Sequence, residues 1–232
     1  LKARYGTVRA ARLFWAKLTG KLLEWGFTAN PYDPCVMNKI EDGTQLTVAW
    51  HVDDLKVSHV KSSVVDKFID DMEGEFGKET PLNKSRGKVH DYLGMKLDFS
   101  KAGEVTVTMI DYIKSILHDA PKEMRGLAAT PATNHLFQIN SENPVLLEKE
   151  QAESYVHLIM QLLYLSQRAR PDIRTAVSFL CGRLTKPDQD DYKKLTRVMK
   201  YLDSTVDLPL VLGASDSGQI QWWVDASFAV HT

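Results

Sequence analysis

Two adjacent carboxylates, Asp53 and Asp54, stand between two runs of alternating apolar residues. Leu46, Val48, Trp50 and Val52 lead in, and Leu55 and Val57 lead out. Period-two alternation predicts two short strands, with the acid pair as the two-residue turn of a hairpin. Aspartate tolerates the backbone angles of a tight turn better than most residues. Two carboxylates fixed side by side repel each other, so ionising both is costly unless a cation lies between or beside them. Oxygen ligands of this kind suit a hard divalent ion such as Mg²⁺. An acid pair between strands is more often a plain solvated turn, so the flanking chain has to decide. The histidines His51, His59, His90 and His118 show no ligand spacing. Cys35 and Cys181 stand far apart, which argues packed thiols of a reducing compartment rather than a disulfide or a metal knot.

The charge around the pair is uneven although the chain's net charge is −1. Residues 1–25 carry six Lys or Arg against Glu24 alone, and residues 155–200 carry nine against four acids. Residues 41–80 carry ten acids against four lysines. Basic segments flanking an acidic centre suit a polyanion held around a metal-dependent site; solvated helix faces would give the same counts.

The elements that must position the pair follow from periodicity. Phe14, Leu18, Leu22 and Trp25 have helical spacing, closed by Gly26. Cys35–Ile40 and Leu46–Val52 read as strands joined through Glu41-Asp42-Gly43. Ser62 or Ser63 caps a second helix that ends at Gly77. Leu93 to Phe99 and Val105 to Met109 form another hairpin, with Gly94 inside its first strand marking a bulge or the close approach of another backbone. Asp111–Asp119 is a short helix, and the patternless stretch from Pro121 to Asn143 reads as an extended crossing. Three helices follow: one over Glu153–Arg168, one opened by Pro171, and one capped by Asp188. Leu208–Leu212 and Gln219–Val224 read as closing strands. The fold class is therefore α+β, an antiparallel sheet backed by helices and followed by a helical module. No apolar run approaches membrane-spanning length.

His51-Val52-Asp53-Asp54 resembles the active-site box of reverse transcriptases, and the whole chain resembles the reverse transcriptase of copia-type retrotransposons. Other blocks occur in the family's order: Tyr5-Gly6 to Arg12 with Phe14-Trp15, then Gly26-Phe27 with Tyr32-Asp33-Pro34-Cys35. After the acid pair come Tyr92-Leu93-Gly94-Met95, Leu162-Leu163-Tyr164-Leu165 with Arg170-Pro171-Asp172-Ile173, and Val198-Met199-Lys200-Tyr201-Leu202. Trp223-Val224-Asp225-Ala226-Ser227 resembles the opening strand of the RNase H domain that follows in this family.

The resemblance implies a right-hand polymerase. Residues 1–110 would hold partial fingers and palm, 111–205 a helical thumb or connection, and 206–232 the start of RNase H. It implies RNA-directed DNA polymerisation on an RNA template and DNA primer, using deoxynucleoside triphosphates and two Mg²⁺ ions, within a Pol polyprotein in cytoplasmic virus-like particles. Asp53 would be a metal ligand and Asp54 a supporting carboxylate. Asp225 would match the first RNase H carboxylate. Arg9, Arg12 and Lys56 would contact phosphates, and Leu93 and Gly94 would steady the primer end. Arg9 stands where the family has Gln, Ala11 where it has Pro, and His51 where it has Tyr. The family's other metal-binding Asp precedes the Tyr-Gly block, in a strand this sequence does not include, so the expectation is little polymerisation by these residues alone. A non-catalytic remnant that binds nucleic acid and a stand-alone nucleotidyl enzyme are the competing readings.

Overall fold

The hydroxyl of Thr7 accepts the amide of Ala10 at 3.2 Å and starts helix α1 (Val8–Glu24) in the computed structural model, which describes residues 7–140 and 143–214. The chain divides into two compact units, Leu1–Ser85 and Arg86–Thr232. In the first unit the backbone turns after α1 at Gly26, whose φ of 84° favours glycine. It then enters an antiparallel meander: β1 (Thr28–Ala29), β2 (Val36–Glu41), β3 (Thr44–His51) and β4 (Asp54–Ser58), in that spatial order. Alternation in the strands sends Met37, Leu46, Val48 and Trp50 to one face. There they pack with Leu18 and Leu22 of α1 and with Val64, Phe68 and Met72 of α2 (Ser62–Phe76). Ser62 is the first helical residue rather than the cap. Lys61 occupies the cap position without a side-chain capping bond, and the Ser62 hydroxyl donates along the exposed helix face to Asp66 at 3.2 Å.

The second unit opens with a second antiparallel sheet: β5 (Val89–Tyr92), β6 (Met95–Asp98), β7 (Glu104–Thr108) and, returning from the far end of the chain, β8 (Leu210–Gly213). Between β7 and β8 lie α3 (Ile110–Asp119), α4 (Lys149–Arg168), α5 (Arg174–Cys181) and α6 (Gln189–Ser204). Leu97, Val107 and Met109 join Ile113 and Ile116, Tyr155 to Leu165, Val177 and Leu180, and Leu195 to Leu202 in one core. The expected helix at Pro171 is a single 3₁₀ turn, Pro171–Ile173, that leads into α5. Asp188 caps α6 as expected. Its carboxylate accepts the amides of Asp190 and Asp191 at 2.9 Å, while the Asp191 carboxylate accepts the Asp188 amide at 3.1 Å, a reciprocal capping box.

Gly126 to Gln138 forms a strap tied along α6. Ser204 donates to the Ala128 carbonyl, Arg197 to the Thr130 hydroxyl and Lys194 to the Gln138 carbonyl, while the Gly126 amide donates to Asp203. Arg170, 1 % exposed, makes a bidentate pair with Asp172 (2.8–3.2 Å). It also donates to the Thr205 carbonyl and hydroxyl at 2.7 Å, fixing the end of α6. Arg183 pairs with the buried Asp191 at 3.1 Å. The expected strand Gln219–Val224, Asp225, and Tyr5-Gly6 lie outside the described residues.

Candidate functional site

In β3–β4 the register pairs Val48 with Val57, Trp50 with Leu55, and His51 with Asp54. This register keeps Trp50, Val48, Leu55 and Val57 on the core side. It leaves Val52 and Asp53 as the two turn residues, one position earlier than the sequence suggests. Asp54 is the first residue of the returning strand, opposite His51. All four residues from His51 to Asp54 are exposed. Val52 carries a φ of 57°, a left-handed conformation that a β-branched side chain resists. Such strain costs about 1–3 kcal/mol and persists only where the surrounding ladder imposes it. The turn therefore presents two carboxylates from adjoining positions, one on the bend and one anchored in the ladder.

Lys56 follows two residues after Asp54 and so shares its face, opposite Ala49. Burial holds its ammonium below the usual lysine range. Arg9 and Arg12 are exposed in the first turns of α1, the helix packed on the other, core-facing side of this sheet. No hydrogen bond or ion pair among the described residues ties either of them to the acids. Among the described residues, no group of three or more His, Cys, Asp or Glu comes together that could hold a metal ion. The free thiols of Cys35 and Cys181 are both pushed up by burial.

In the second unit Leu93 and Gly94 form the tip of the β5–β6 hairpin, with Tyr92 paired to Met95. The sequence reading of Gly94 as lying inside a strand, at a bulge or at the close approach of another backbone, is thus corrected. Val89–Tyr92 is a strand of its own, and Leu93 and Gly94, with φ of 52° and 74°, make the two-residue turn. A Cβ on Gly94 would meet Met109 Cε at 3.6 Å and Tyr164 Oη at 3.7 Å, ordinary contacts, so the backbone angle is what calls for glycine. Leucine in the first position is strained, and its carbonyl accepts a hydrogen bond from the Tyr164 hydroxyl at 3.0 Å. Sequence reasoning named Tyr164 only within the resemblance block Leu162-Leu163-Tyr164-Leu165 and gave it no role. A tyrosine amid Leu162, Leu163 and Leu165 was the available signal, because a phenol near a core needs a partner.

Residues 1–133 match the family model described as reverse transcriptase (RNA-dependent DNA polymerase), and the chain belongs to that family. Its relatives include a putative transposon Ty5-1 protein of Saccharomyces cerevisiae, 25% identical over 98% of this chain and 71% of that protein. The retrovirus-related Pol polyprotein from transposon TNT 1-94 of Nicotiana tabacum is 22% identical over 98% of this chain but only 17% of its own length. An uncharacterized mitochondrial protein of Arabidopsis thaliana is 25% identical over 77% of this chain and 70% of that protein. The chain thus spans a small part of the Pol polyprotein it matches. No solved structure matches it.

Proposed function

We propose that this chain is a segment of a retroelement Pol polyprotein that copies RNA into DNA, with Asp53 as a metal-binding carboxylate. The observation that carries the reading is the acid pair at an exposed, strained hairpin tip inside the stretch that matches the reverse transcriptase family. The first unit would act as palm and the helices α4 to α6 as thumb or connection, with the remainder of Pol supplying the other parts.

Asp53 and Asp54 offer the oxygen donors that Mg²⁺ takes, and they would form part of its ligand set. The ion, when bound, supplies stabilisation of charge on the attacking and leaving oxygens as a primer 3′-hydroxyl displaces pyrophosphate from a nucleotide. The Val52–Asp53 turn fixes where one carboxylate points, and the ladder at Asp54 fixes the other. Lys56, beside Asp54 and partly desolvated, is positioned for a triphosphate or backbone phosphate, as are the exposed Arg9 and Arg12. Leu93 and Gly94 would steady the primer end. Asp225 as a nuclease carboxylate, and a cytoplasmic particle as the site of action, complete the reading. Among the described residues no helix is long and apolar enough to cross a membrane.

The test is primer extension on an RNA template with deoxynucleotides and Mg²⁺. The protein is this chain joined to the family's upstream segment that carries the further aspartate. Wild type extends, and Asp53→Asn loses activity by on the order of a hundredfold or more, as removal of a charge-stabilising group does. Equal extension by both would overturn the assignment. A second reading, nucleic-acid binding without polymerisation, is favoured by the chain's match to 71% and 70% of two relatives far shorter than the polyprotein. It predicts primer-template binding with no extension by either protein.

A further inference from the structure

Arg168 is the last residue of α4, and its guanidinium lies 3.6 Å from the ring centroid of Tyr164, one helical turn earlier. The spacing of four puts both side chains on one face of the helix. The same ring is fixed from other directions. Tyr112 packs at 5.4 Å between centroids, and the Tyr164 hydroxyl donates to the Leu93 carbonyl at 3.0 Å. Arg168 is half-buried, and its one hydrogen bond among the described residues is a long 3.5 Å contact to the Tyr164 carbonyl. It pairs with no carboxylate among those residues, unlike Arg170 with Asp172 and Arg183 with Asp191. A partly desolvated guanidinium without a counter-ion is unfavourable unless it serves a ligand. Held over an aromatic ring, it keeps a planar fork of donors that matches phosphate oxygens. That fork sits one tyrosine away from the exposed Gly94 tip.

We propose that Arg168 contacts a backbone phosphate of the nucleic-acid strand lying against the Leu93–Gly94 turn, with Tyr164 as the positioning residue that holds both. This rests on the reading of that turn as a support for the primer end, and adds to it a residue and a ligand class, the phosphodiester. Leu93 is held in its left-handed conformation by the bond from the ring whose face carries the cation. Turn and cation are therefore set at a fixed separation by one side chain.

The test is binding of a labelled RNA–DNA primer-template by the 232-residue chain between 50 and 200 mM salt. One phosphate contact contributes about 0.7–0.9 to the slope of log affinity against log salt. Arg168→Gln should lower the slope by that amount, so that its affinity falls about threefold less than wild type across the range. Arg168→Lys should keep the slope, because the charge remains, and lose at least about threefold in affinity, because an ammonium does not lie flat on the ring. Unchanged slope in Arg168→Gln, with wild type binding in a salt-dependent way, overturns this inference and leaves the reverse transcriptase reading standing. Wild-type affinity in Arg168→Lys removes the positioning role of Tyr164. No salt-dependent binding by wild type also overturns this inference, and primer extension by the joined protein then decides the reverse transcriptase reading separately. The far-ultraviolet circular dichroism of each variant establishes that the helices are retained.

Discussion

Replacing Arg170 with methionine should unlock the end of α6. The guanidinium is 1 % exposed and donates to both oxygens of Asp172 and to the Thr205 carbonyl and hydroxyl. Methionine fills much of the same volume, so the loss is almost wholly polar. Removing one partner of a buried ion pair costs about 3–5 kcal/mol, because the other charge is left without compensation. Here the lower end applies, since the Asp172 side chain keeps 28% exposure and is also bonded by Tyr201. An expectation of about 3 kcal/mol at neutral pH follows. The double variant Arg170→Met/Asp172→Asn, which removes both charges, should recover most of it.

The pH dependence gives the sharper check. Burial opposes ionisation of Asp172, but the hydrogen bonds and charge of Arg170 outweigh it and hold the carboxyl below its usual range. A lowered folded value means stability that is present above the unfolded value and lost as pH falls. Without Arg170 the burial remains uncompensated, the folded value rises, and acid relieves the strain instead. The gap between wild type and variant should therefore begin to shrink above about pH 4, as pH falls through the variant's raised folded value, and go on shrinking below the unfolded carboxyl value. Tryptophan fluorescence is the wrong probe, because Trp15, Trp25 and Trp50 of the first unit would be read together with Trp222 and Trp223 of the second. Amide exchange on peptides from α6 reads the right one, and about 3 kcal/mol is a loss of protection on the order of a hundredfold. A change below about 0.5 kcal/mol, or a gap that widens in acid, would refute the reasoning.

Two further outcomes are open to direct measurement. Val52→Gly relieves a φ of 57° at a residue 50% exposed, so it should stabilise the first unit by about 1 kcal/mol as read by amide exchange on peptides from β3 and β4; clear destabilisation would show that the valine side chain is held by packing. Asp188→Ala removes the α6 capping box and should cost about 1–2 kcal/mol by amide exchange on α6, whereas Asp188→Asn, which keeps an acceptor, should cost less.

The elements with a single strong period were legible. The apolar faces of α1, α2, α4 and α6, the alternation of β3, and the cap at Asp188 all lie where spacing puts them. The tips were not. Leu93, Met95 and Leu97 alternate as a strand does, and nothing in that pattern says that Leu93 adopts a left-handed backbone at a turn. The acid pair was displaced by one residue because the turn is set by which cross-strand partners share the core, Trp50 with Leu55, and not by the turn-forming tendency of aspartate. The strap from Gly126 to Gln138 has no period, because part of what holds it is side chains of α6 donating to its carbonyls at Ala128 and Gln138.

Counting basic residues overstated what is free for a polyanion. Of the nine between 155 and 200, Arg170, Arg183 and Lys194 each pair with an acid, and Arg197 helps to tie the strap. Those bonds hold the helical unit together, and breaking them to bind a ligand would expose buried carboxylates such as Asp191. Arg168 differs in kind, because its partner is a ring and a ring leaves the donors available. The same distinction runs through the first unit. Lys17, Lys21 and Lys39 are committed to Glu75, Glu24 and Glu41, whereas Arg9 and Arg12 have no acid partner among the described residues. A charge map of this fold should therefore be read residue by residue, with each cation discounted by the carboxylate it already holds. Among the cations left without a carboxylate, Arg9, Arg12 and Arg168 are those whose loss should move nucleic-acid affinity more than stability, while Arg174, Lys186, Lys193 and Lys200 also pair with no acid among the described residues.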